Sequence, residues 1–277
     1  MKKLCLILLS LIFLTACAAP PPADNSVTTS SELNNDLLRF GFRRMKNQPP
    51  EFTKEQLRVF DKYSAYYIDK RTDKNRLYLT FDEGYENGYT SMILDTLKEH
   101  NTPAAFFITG PYLKKHGDLV KRMTEENHIV GNHTVNHPSM PSLTVEKLTA
   151  EIEGLSADFK GNFGAEMKFF RPPMGEYSER TLDLTNKLGL KTVFWSLAYK
   201  DWERDVSKGA DYAYNEVMKS LHPGAVILLH AVSRDNAEGL SRIITDAEAE
   251  GYVFCSLSEY EILGNSENFE PLEAPAE

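Results

Sequence analysis

Cysteine is scarce in this chain of 277 residues, which contains Cys5, Cys17 and Cys255 and no others. The first two lie in an N-terminal leader, so Cys255 is alone in the body and no disulfide framework can form there. Because Cys255 follows an apolar run, we expect it to be a small buried hydrophobic residue rather than a nucleophile.

Several enzyme signatures are also absent from the sequence. No Gly-x-Ser-x-Gly elbow is present, which argues against a serine hydrolase of that type, and neither a P-loop nor a dinucleotide-binding fingerprint appears. Lysine and arginine total 31 against 40 aspartates and glutamates, for a net charge of −9. An acidic body argues against a nucleic-acid partner, because phosphates require a basic surface, but it is compatible with a glycan substrate.

The first 17 residues predict a bacterial lipoprotein signal. Two lysines precede the apolar run 4–14, which is too short for a transmembrane helix. Residues 14–17 (Leu-Thr-Ala-Cys) resemble the lipoprotein cleavage site, at which Cys17 becomes the lipidated first residue. An ordinary cleavage site at residues 16–18 is the alternative. We therefore expect a protein outside the cytoplasm, lipid-anchored to the membrane at Cys17 and facing the cell wall.

Composition divides the remaining chain into four parts. Residues 18–32 are rich in Pro, Ala, Ser and Thr and predict a flexible tether. Residues 33–75 have helical spacing in their second half and predict an N-terminal helical arm that wraps the body. Residues 76–263 predict the main domain of the chain, expected to be a monomer. Residues 264–277 are acidic, contain proline and predict a disordered tail.

Strand and helix patterns alternate throughout this main domain. Seven such repeats favour an α/β fold whose parallel sheet closes into a distorted (β/α)7–8 barrel, with a doubly wound open sheet as the alternative. Thr144 and Ser178 are predicted to cap helices, and Gly189 and Gly251 to end them. The predicted strands are 77–81, 104–109, 129–132, 169–171, 192–197, 226–229 and 253–256.

The acidic pair Asp82-Glu83 follows the first of these strands. Catalytic groups collect at the carboxyl ends of strands in α/β folds. Two adjacent carboxylates at such a point are unfavourable unless a metal, an arginine or a proton compensates them. A polar loop without function is the alternative interpretation.

Four further signals follow later strands. His133 and His137 are spaced i and i+4, which places them on one face of a helical turn and allows them to bind one metal ion. Arg171, before two prolines, is predicted to hold a carboxylate in its ionised form. Asp201-Trp202 and His230 complete the set, although a histidine after an apolar strand is more often a hydrogen-bonded core residue.

Five such motifs in this order resemble those of the polysaccharide deacetylase family, carbohydrate esterase family 4. The resemblance covers roughly residues 77–263. Residues 84–90, 193–197 and 235–238 resemble one branch more closely, the muramic acid de-N-acetylases that prepare the δ-lactam of spore peptidoglycan. The resemblance implies a barrel fold of the polysaccharide deacetylase type and peptidoglycan strands as the partner.

The resemblance also implies catalytic roles. Asp82 matches the general base and Arg171 the arginine that orients it. His230 matches the catalytic histidine, which protonates the leaving amine, and Asp201 matches the acid that tunes it.

The implied cofactor is a divalent metal, with zinc the leading expectation. His133 and His137 match two ligands of that metal, and Glu83 stands where the family has a metal-binding aspartate. The muramic branch often has asparagine there. Glutamate is one methylene longer than aspartate, which leaves the metal's identity and its third ligand open.

The implied substrate contacts form the last group. The backbone N–H near Met174 stands where the family stabilises an oxyanion, although Met174 replaces a common arginine or aromatic residue. Leu228 is expected to line the pocket for the acetyl methyl group. Tyr85 and Trp202 are candidates to stack on sugar rings, whereas Trp195 is expected to be a core residue.

The predicted reaction is hydrolysis of the N-acetyl group of N-acetylmuramic acid in peptidoglycan. Deacetylation of N-acetylglucosamine in peptidoglycan or another glycan is the first alternative. A glycan-binding lipoprotein without catalysis is the second, and the retention of Asp82, Arg171, Asp201 and His230 argues against it.

Overall fold

A curved parallel sheet forms the centre of the computed structural model, which describes residues 30–45, 48–71 and 74–263. The predicted lipoprotein signal at 1–17, residues 18–29 of the predicted tether and the predicted tail at 264–277 lie outside the described residues. Within the described ranges, no helix is both long and apolar enough to cross a bilayer.

Ten strands and nine α-helices make up the described chain. The strands are β1 (Leu38–Arg39), β2 (Asn75–Glu83), β3 (Ala104–Ile108), β4 (Ile129–Asn132), β5 (Phe169–Phe170), β6 (Glu176–Tyr177), β7 (Lys191–Thr192), β8 (Leu197–Ala198), β9 (Ala225–His230) and β10 (Tyr252–Phe254). The helices are α1 (Lys54–Lys62), α2 (Thr90–His100), α3 (Gly110–Lys115), α4 (Gly117–Glu125), α5 (Val145–Phe163), α6 (Glu179–Lys187), α7 (Ala210–Met218), α8 (Arg234–Ala249) and α9 (Leu257–Leu263).

The main sheet runs in the order β7-β5-β4-β3-β2-β9-β8, with β10 beside the start of β2. All these pairings are parallel. The two outermost strands, β7 and β8, belong to one extended segment, 191–198. Its first half pairs with β5 and its second half with β9, so the sheet curves back on itself. The predicted α/β fold with a distorted barrel is confirmed, and the predicted strand 192–197 is two short pairings instead of one.

The N-terminal residues fill the gap where segment 191–198 passes from one side of the sheet to the other. The backbone of Tyr66 bridges Val193, donating to Thr192 and accepting from Phe194. The ring of Phe40 stacks on that of Phe194, with centroids 4.5 Å apart. The predicted helix of the arm is present as α1, but β1 also pairs antiparallel with β6, which local sequence patterns did not predict.

Alternation along β2 decides which side chains face the barrel interior. Leu77, Leu79 and Phe81 pack in the large cluster between the sheet and the helices, whereas Tyr78 packs in the interior cluster. Successive side chains of a strand point to opposite faces. The Asp82 side chain therefore faces the barrel interior, and the Glu83 side chain faces the helices.

The predicted helix ends are confirmed. The side chains of Thr144 and Ser178 accept hydrogen bonds from the backbone at the starts of α5 and α6. Gly189 and Gly251 follow the ends of α6 and α8 with φ values of 80° and 84°, a conformation that costs glycine little. Cys255 is buried in the interior cluster, as expected.

Candidate active site

A cleft of about 710 Å³ opens at the carboxyl ends of the strands, the edge where the sequence predicted a site. Its volume is in the range of small-ligand sites. The lining residues are Asp82, Gly84, Tyr85, Thr109, Pro111, His133, Asn136, His137, Met174, Gly175, Trp195, Trp202, Leu228, His230 and Val232. Of the other predicted site residues, Arg171 and Asp201 contact members of this lining from behind, and Glu83 is not part of it.

Asp82 is held by a fully buried arginine. Nη1 of Arg171 donates to Oδ1 of Asp82 at 2.8 Å. The same guanidinium donates to the backbone carbonyls of Val193 at 3.1 Å and Phe194 at 3.3 Å, and it lies over the ring of Phe107. Burial is the largest single influence on Asp82 and would raise its pKa, but the charge and hydrogen bond of Arg171, together with His133 and His230, outweigh burial and lower that pKa. Asp82 is therefore an ionised carboxylate facing the cleft.

His133 and His137 come together, but the predicted helical turn is wrong. Residues 133–137 form a loop in which Thr134 and His137 have φ values of 70° and 58°, in the left-handed region. Two hydrogen bonds stabilise it: Asn132 Oδ1 accepts from the Thr134 N–H, and Thr134 Oγ1 accepts from the His137 N–H, both at 2.8 Å. The two imidazole centroids are 4.8 Å apart, so a different backbone path produces the predicted proximity.

Both imidazoles are neutral near pH 7. Burial lowers the pKa of His133 to about 4 and also lowers that of His137. Nδ1 of His133 donates to the backbone carbonyl of Arg171 at 2.8 Å, which leaves the Nε2 lone pair free. Neutral imidazole with a free nitrogen is the form that binds metal ions.

The donor set fits a divalent metal at two nitrogens with a carboxylate beside them. Nε2 of His133 lies 3.6 Å from Oδ2 of Asp82, close to the separation of about 3.4 Å between two ligands of a tetrahedral zinc ion. Across the described ranges, no three His, Cys, Asp or Glu side chains are already gathered as a metal site. The imidazole nitrogens of His133 and His137, with the Asp82 carboxylate beside them, are donor types that a divalent metal accepts.

Glu83, which the sequence suggested as a third ligand, lies on the other face of β2. Its side chain is fully buried, and neither carboxyl oxygen has a hydrogen-bond partner among the described residues. Burial, together with the negative charges of Glu86 and Asp82, raises its pKa well above the ordinary value. The Glu83 side chain therefore lies on the face of β2 opposite Asp82, toward the helices, and its burial favours the protonated form.

His230, at the end of β9, pairs with Asp201. Nδ1 of His230 donates to Oδ1 of Asp201 at 2.7 Å, and the His230 N–H donates to Oδ2 at 2.9 Å. Burial alone would lower the pKa of His230, but the Asp201 carboxylate outweighs it and raises that pKa. The cleft thus holds an ionised carboxylate and a readily protonated imidazole, which is the pairing needed for general base and general acid catalysis.

Comparison with known proteins places this geometry in a family. The model of the family described as polysaccharide deacetylase matches residues 69–193. Peptidoglycan-N-acetylmuramic acid deacetylase PdaA of Bacillus subtilis is 40% identical over 94% of this chain and 95% of its own length. This chain belongs to the polysaccharide deacetylase family. It is accordingly a hydrolase of amide bonds, as predicted.

Two further comparisons agree with the family. A peptidoglycan-N-acetylglucosamine deacetylase of Bacillus cereus is 33% identical over 71% of this chain and 72% of its own length. The solved structure of Bacillus subtilis PdaA, described as a family 4 carbohydrate esterase, has 41% identity and a TM-score of 0.82. That alignment covers 84% of this chain and 100% of the PdaA chain.

The rim of the deacetylase cleft is formed by three exposed side chains. Tyr85, Trp202 and Met174 are 44%, 49% and 55% exposed. The Trp202 ring lies 5.7 Å from that of His230, so it borders the reacting centre, while the nearly buried Leu228 lies deeper in the lining. Exposed aromatic rings beside a deep apolar wall are suited to a sugar ring with a small acyl group.

Two residues contribute more than the sequence indicated. Asn236 donates from Nδ2 to Oδ2 of Asp201 at 2.6 Å and to the His230 carbonyl at 3.1 Å, and its own Oδ1 accepts from the Tyr199 hydroxyl. Trp195, expected in the core, both packs there and lines the cleft. In the sequence, Asn236 was indicated only by the resemblance of residues 235–238 to the muramic branch.

Proposed function

We propose that this chain hydrolyses the N-acetyl group of N-acetylmuramic acid in peptidoglycan and releases acetate. The supporting observation is the pair of opposed groups in one cleft: Asp82 kept ionised by Arg171, and His230 made more basic by Asp201. The 40% identical PdaA, whose printed name gives this substrate, supports the choice of sugar.

The reaction needs two proton transfers. Asp82 takes a proton from the attacking water, whose oxygen then forms a bond to the acetamide carbon. His230, protonated, gives its proton to the sugar nitrogen as the carbon–nitrogen bond breaks. The products are acetate and a free amine on the sugar. Asp201 stabilises the positive charge on His230 during this cycle.

His133 and His137 would hold the divalent metal that this family uses, and we propose zinc. When bound, such an ion supplies positive charge that polarises the acetamide carbonyl and makes its bound water more acidic. The backbone N–H near Met174 is proposed to share the developing negative charge on the carbonyl oxygen.

The substrate contacts follow from the rim and the inner wall of the cleft. Tyr85 and Trp202 are proposed to contact the sugar rings, and Met174 to form the wall of the groove. Leu228 is proposed to contact the acetyl methyl group. The substrate itself requires a location outside the cytoplasm, at the cell wall, and the lipid anchor at Cys17 is proposed with it.

Release of acetate from defined glycans tests this function. Residues 18–277, supplied with zinc, are incubated with peptide-free peptidoglycan strands and, separately, with an oligomer of N-acetylglucosamine. Acetate from the peptidoglycan strands alone supports the proposal, and acetate from the glucosamine oligomer at an equal rate favours the alternative sugar. No acetate from either glycan would favour a glycan-binding protein without catalysis. Asp82→Asn, which lacks the proposed base, is the blank for background acetate.

A further inference from the structure

An exposed arginine stands at the mouth of the cleft. The guanidinium carbon of Arg204 lies 4.9 Å from the ring centroid of Tyr85, and Tyr85 lines the cleft. The lining itself, in the described part of the chain, includes no lysine or arginine. Arg171 carries a positive charge behind the lining, but it is fully buried and already paired with Asp82.

The loop that carries Arg204 is hydrogen-bonded beside the cleft at one end and to α8 at the other. The Tyr85 hydroxyl donates to the Trp202 carbonyl at 3.2 Å, and Asn87 donates to the carbonyl of Arg204 at 3.4 Å. Farther along, Asp235 accepts from Ser207 Oγ at 2.5 Å and from the Lys208 N–H at 2.7 Å. These bonds keep the arginine beside the rim, and the ring of Tyr85 supports its guanidinium.

The side chain of Arg204 is exposed to solvent. Among the described residues, no carboxylate lies within ion-pair distance of it, whereas the nearby Glu203 pairs with Lys200 at 2.8 Å. A planar guanidinium offers two parallel donors that match the two oxygens of a carboxylate. An unpaired arginine supported by an aromatic ring beside a sugar site is therefore suited to an anionic group on the substrate.

We infer that Arg204 is a specificity-determining residue that binds the lactyl carboxylate of muramic acid. This inference rests on the proposed function. Muramic acid differs from glucosamine by a lactyl ether on the ring carbon next to the one that carries the acetamido group. With the acetamido group inside the cleft beside Asp82 and His230, the lactyl carboxylate lies at the rim. Arg204 there favours muramic acid with a free carboxylate over glucosamine and over muramic acid amidated by a peptide.

Binding measurements test the inference without requiring turnover. Two probes are titrated into the protein by calorimetry: a peptide-free oligosaccharide containing N-acetylmuramic acid, and the same oligosaccharide with each lactyl carboxylate converted to its methylamide. We expect the wild type to prefer the free carboxylate by about tenfold and Arg204→Gln to lose that preference. A general loss of affinity for both probes would indicate a structural effect and would overturn the inference.

Lys208→Gln is the matched control. Lys208 carries the same charge in the same loop, but its ammonium lies over the Tyr212 ring at 4.3 Å, and Tyr212 does not line the cleft. The wild-type preference is expected in this variant. An equal loss in both variants would mean that net charge, not Arg204, attracts the substrate, and a preference retained in Arg204→Gln would also contradict the inference.

Turnover separates this inference from the proposed function. If the free-carboxylate preference depends on Arg204 but no acetate leaves muramic acid, the proposed reaction is wrong and the binding role of Arg204 stands. If acetate leaves muramic acid but Arg204→Gln keeps the same ratio of kcat/KM between the two probes, the reaction stands and the role of Arg204 is wrong. A ratio that falls about tenfold, chiefly through KM, supports both.

Discussion

The backbone carbonyl of Arg171 accepts a hydrogen bond from Nδ1 of His133 at 2.8 Å. The side chain of the same arginine holds Asp82. One fully buried residue therefore orients both the proposed general base and a proposed metal-binding imidazole. This explains why Arg171 follows a strand end and precedes two prolines, which restrict the backbone of the turn.

Removal of the Arg171 charge is expected to destabilise the fold as well as the reaction. Arg171→Met leaves the buried carboxylate of Asp82 without its partner, which costs about 3–5 kcal/mol for such pairs. Urea unfolding followed by circular dichroism measures this loss. Arg43→Met is the control, because both side chains of its pair with Glu51 are exposed, by 70% and 52%, and that pair should contribute about 1 kcal/mol or less. Equal losses in the two variants would contradict the central role of Arg171.

Asp82→Asn is expected to keep the fold and lose the reaction. The amide oxygen can still accept from Arg171, but the side chain can no longer take a proton from water. We expect kcat to fall by about 10²- to 10⁴-fold, measured as acetate release, with an unchanged circular dichroism spectrum. Near-normal turnover would remove Asp82 as the base.

Zinc affinity shows whether Glu83 binds the metal together with the two histidines. Glu83 lies on the face of β2 opposite Asp82, so Glu83→Gln should leave zinc affinity within about threefold of wild type. His137→Ala removes a nitrogen donor and should weaken that affinity at least about tenfold. Titration with zinc followed by elemental analysis measures both variants. Equal weakening in both would restore Glu83 as a ligand and would contradict the geometry described for β2.

Much of this site could be predicted because its parts follow apolar strands. The runs that end at Asp82, His133, Arg171 and His230 mark the strand ends directly, and parallel strands bring such ends to one edge. The orientation of Glu83 was also available in principle, because strict alternation along β2 places it opposite Asp82.

Other features depend on contacts that no local pattern contains. The left-handed residues Thr134 and His137 turn the 133–137 segment away from a helix, and a bond to Asn132 helps to stabilise that turn. The pairing of β1 with β6 joins residues far apart in the chain. Residues 235–238, which resemble the muramic branch, include Asn236, but its hydrogen bonds to Asp201 and to the His230 carbonyl are visible only in the folded chain.

The pH dependence of the reaction should report His230. Its pKa is raised, so the protonated acid is present at low pH and is lost as pH rises through the raised value. We expect kcat/KM to fall on the alkaline side. Asp201→Asn removes the charge that raises the pKa of His230, while Asp82 and Arg171 remain nearby. The alkaline limb of the kcat/KM profile, where kcat/KM falls, should therefore move to lower pH by about one unit or more. Asp205→Asn, an exposed carboxylate in the same loop, should leave the limb in place, and an identical shift in both variants would contradict the role of Asp201.

The most direct test of the proposed function identifies the sugar that loses its acetyl group. Peptide-free peptidoglycan strands are treated with residues 18–277 and zinc, digested to disaccharides and fragmented by tandem mass spectrometry, with Asp82→Asn as the blank. We predict that muramic acid carries the free amine and that glucosamine keeps its acetyl group. A free amine confined to glucosamine, or none in either sugar, would contradict it.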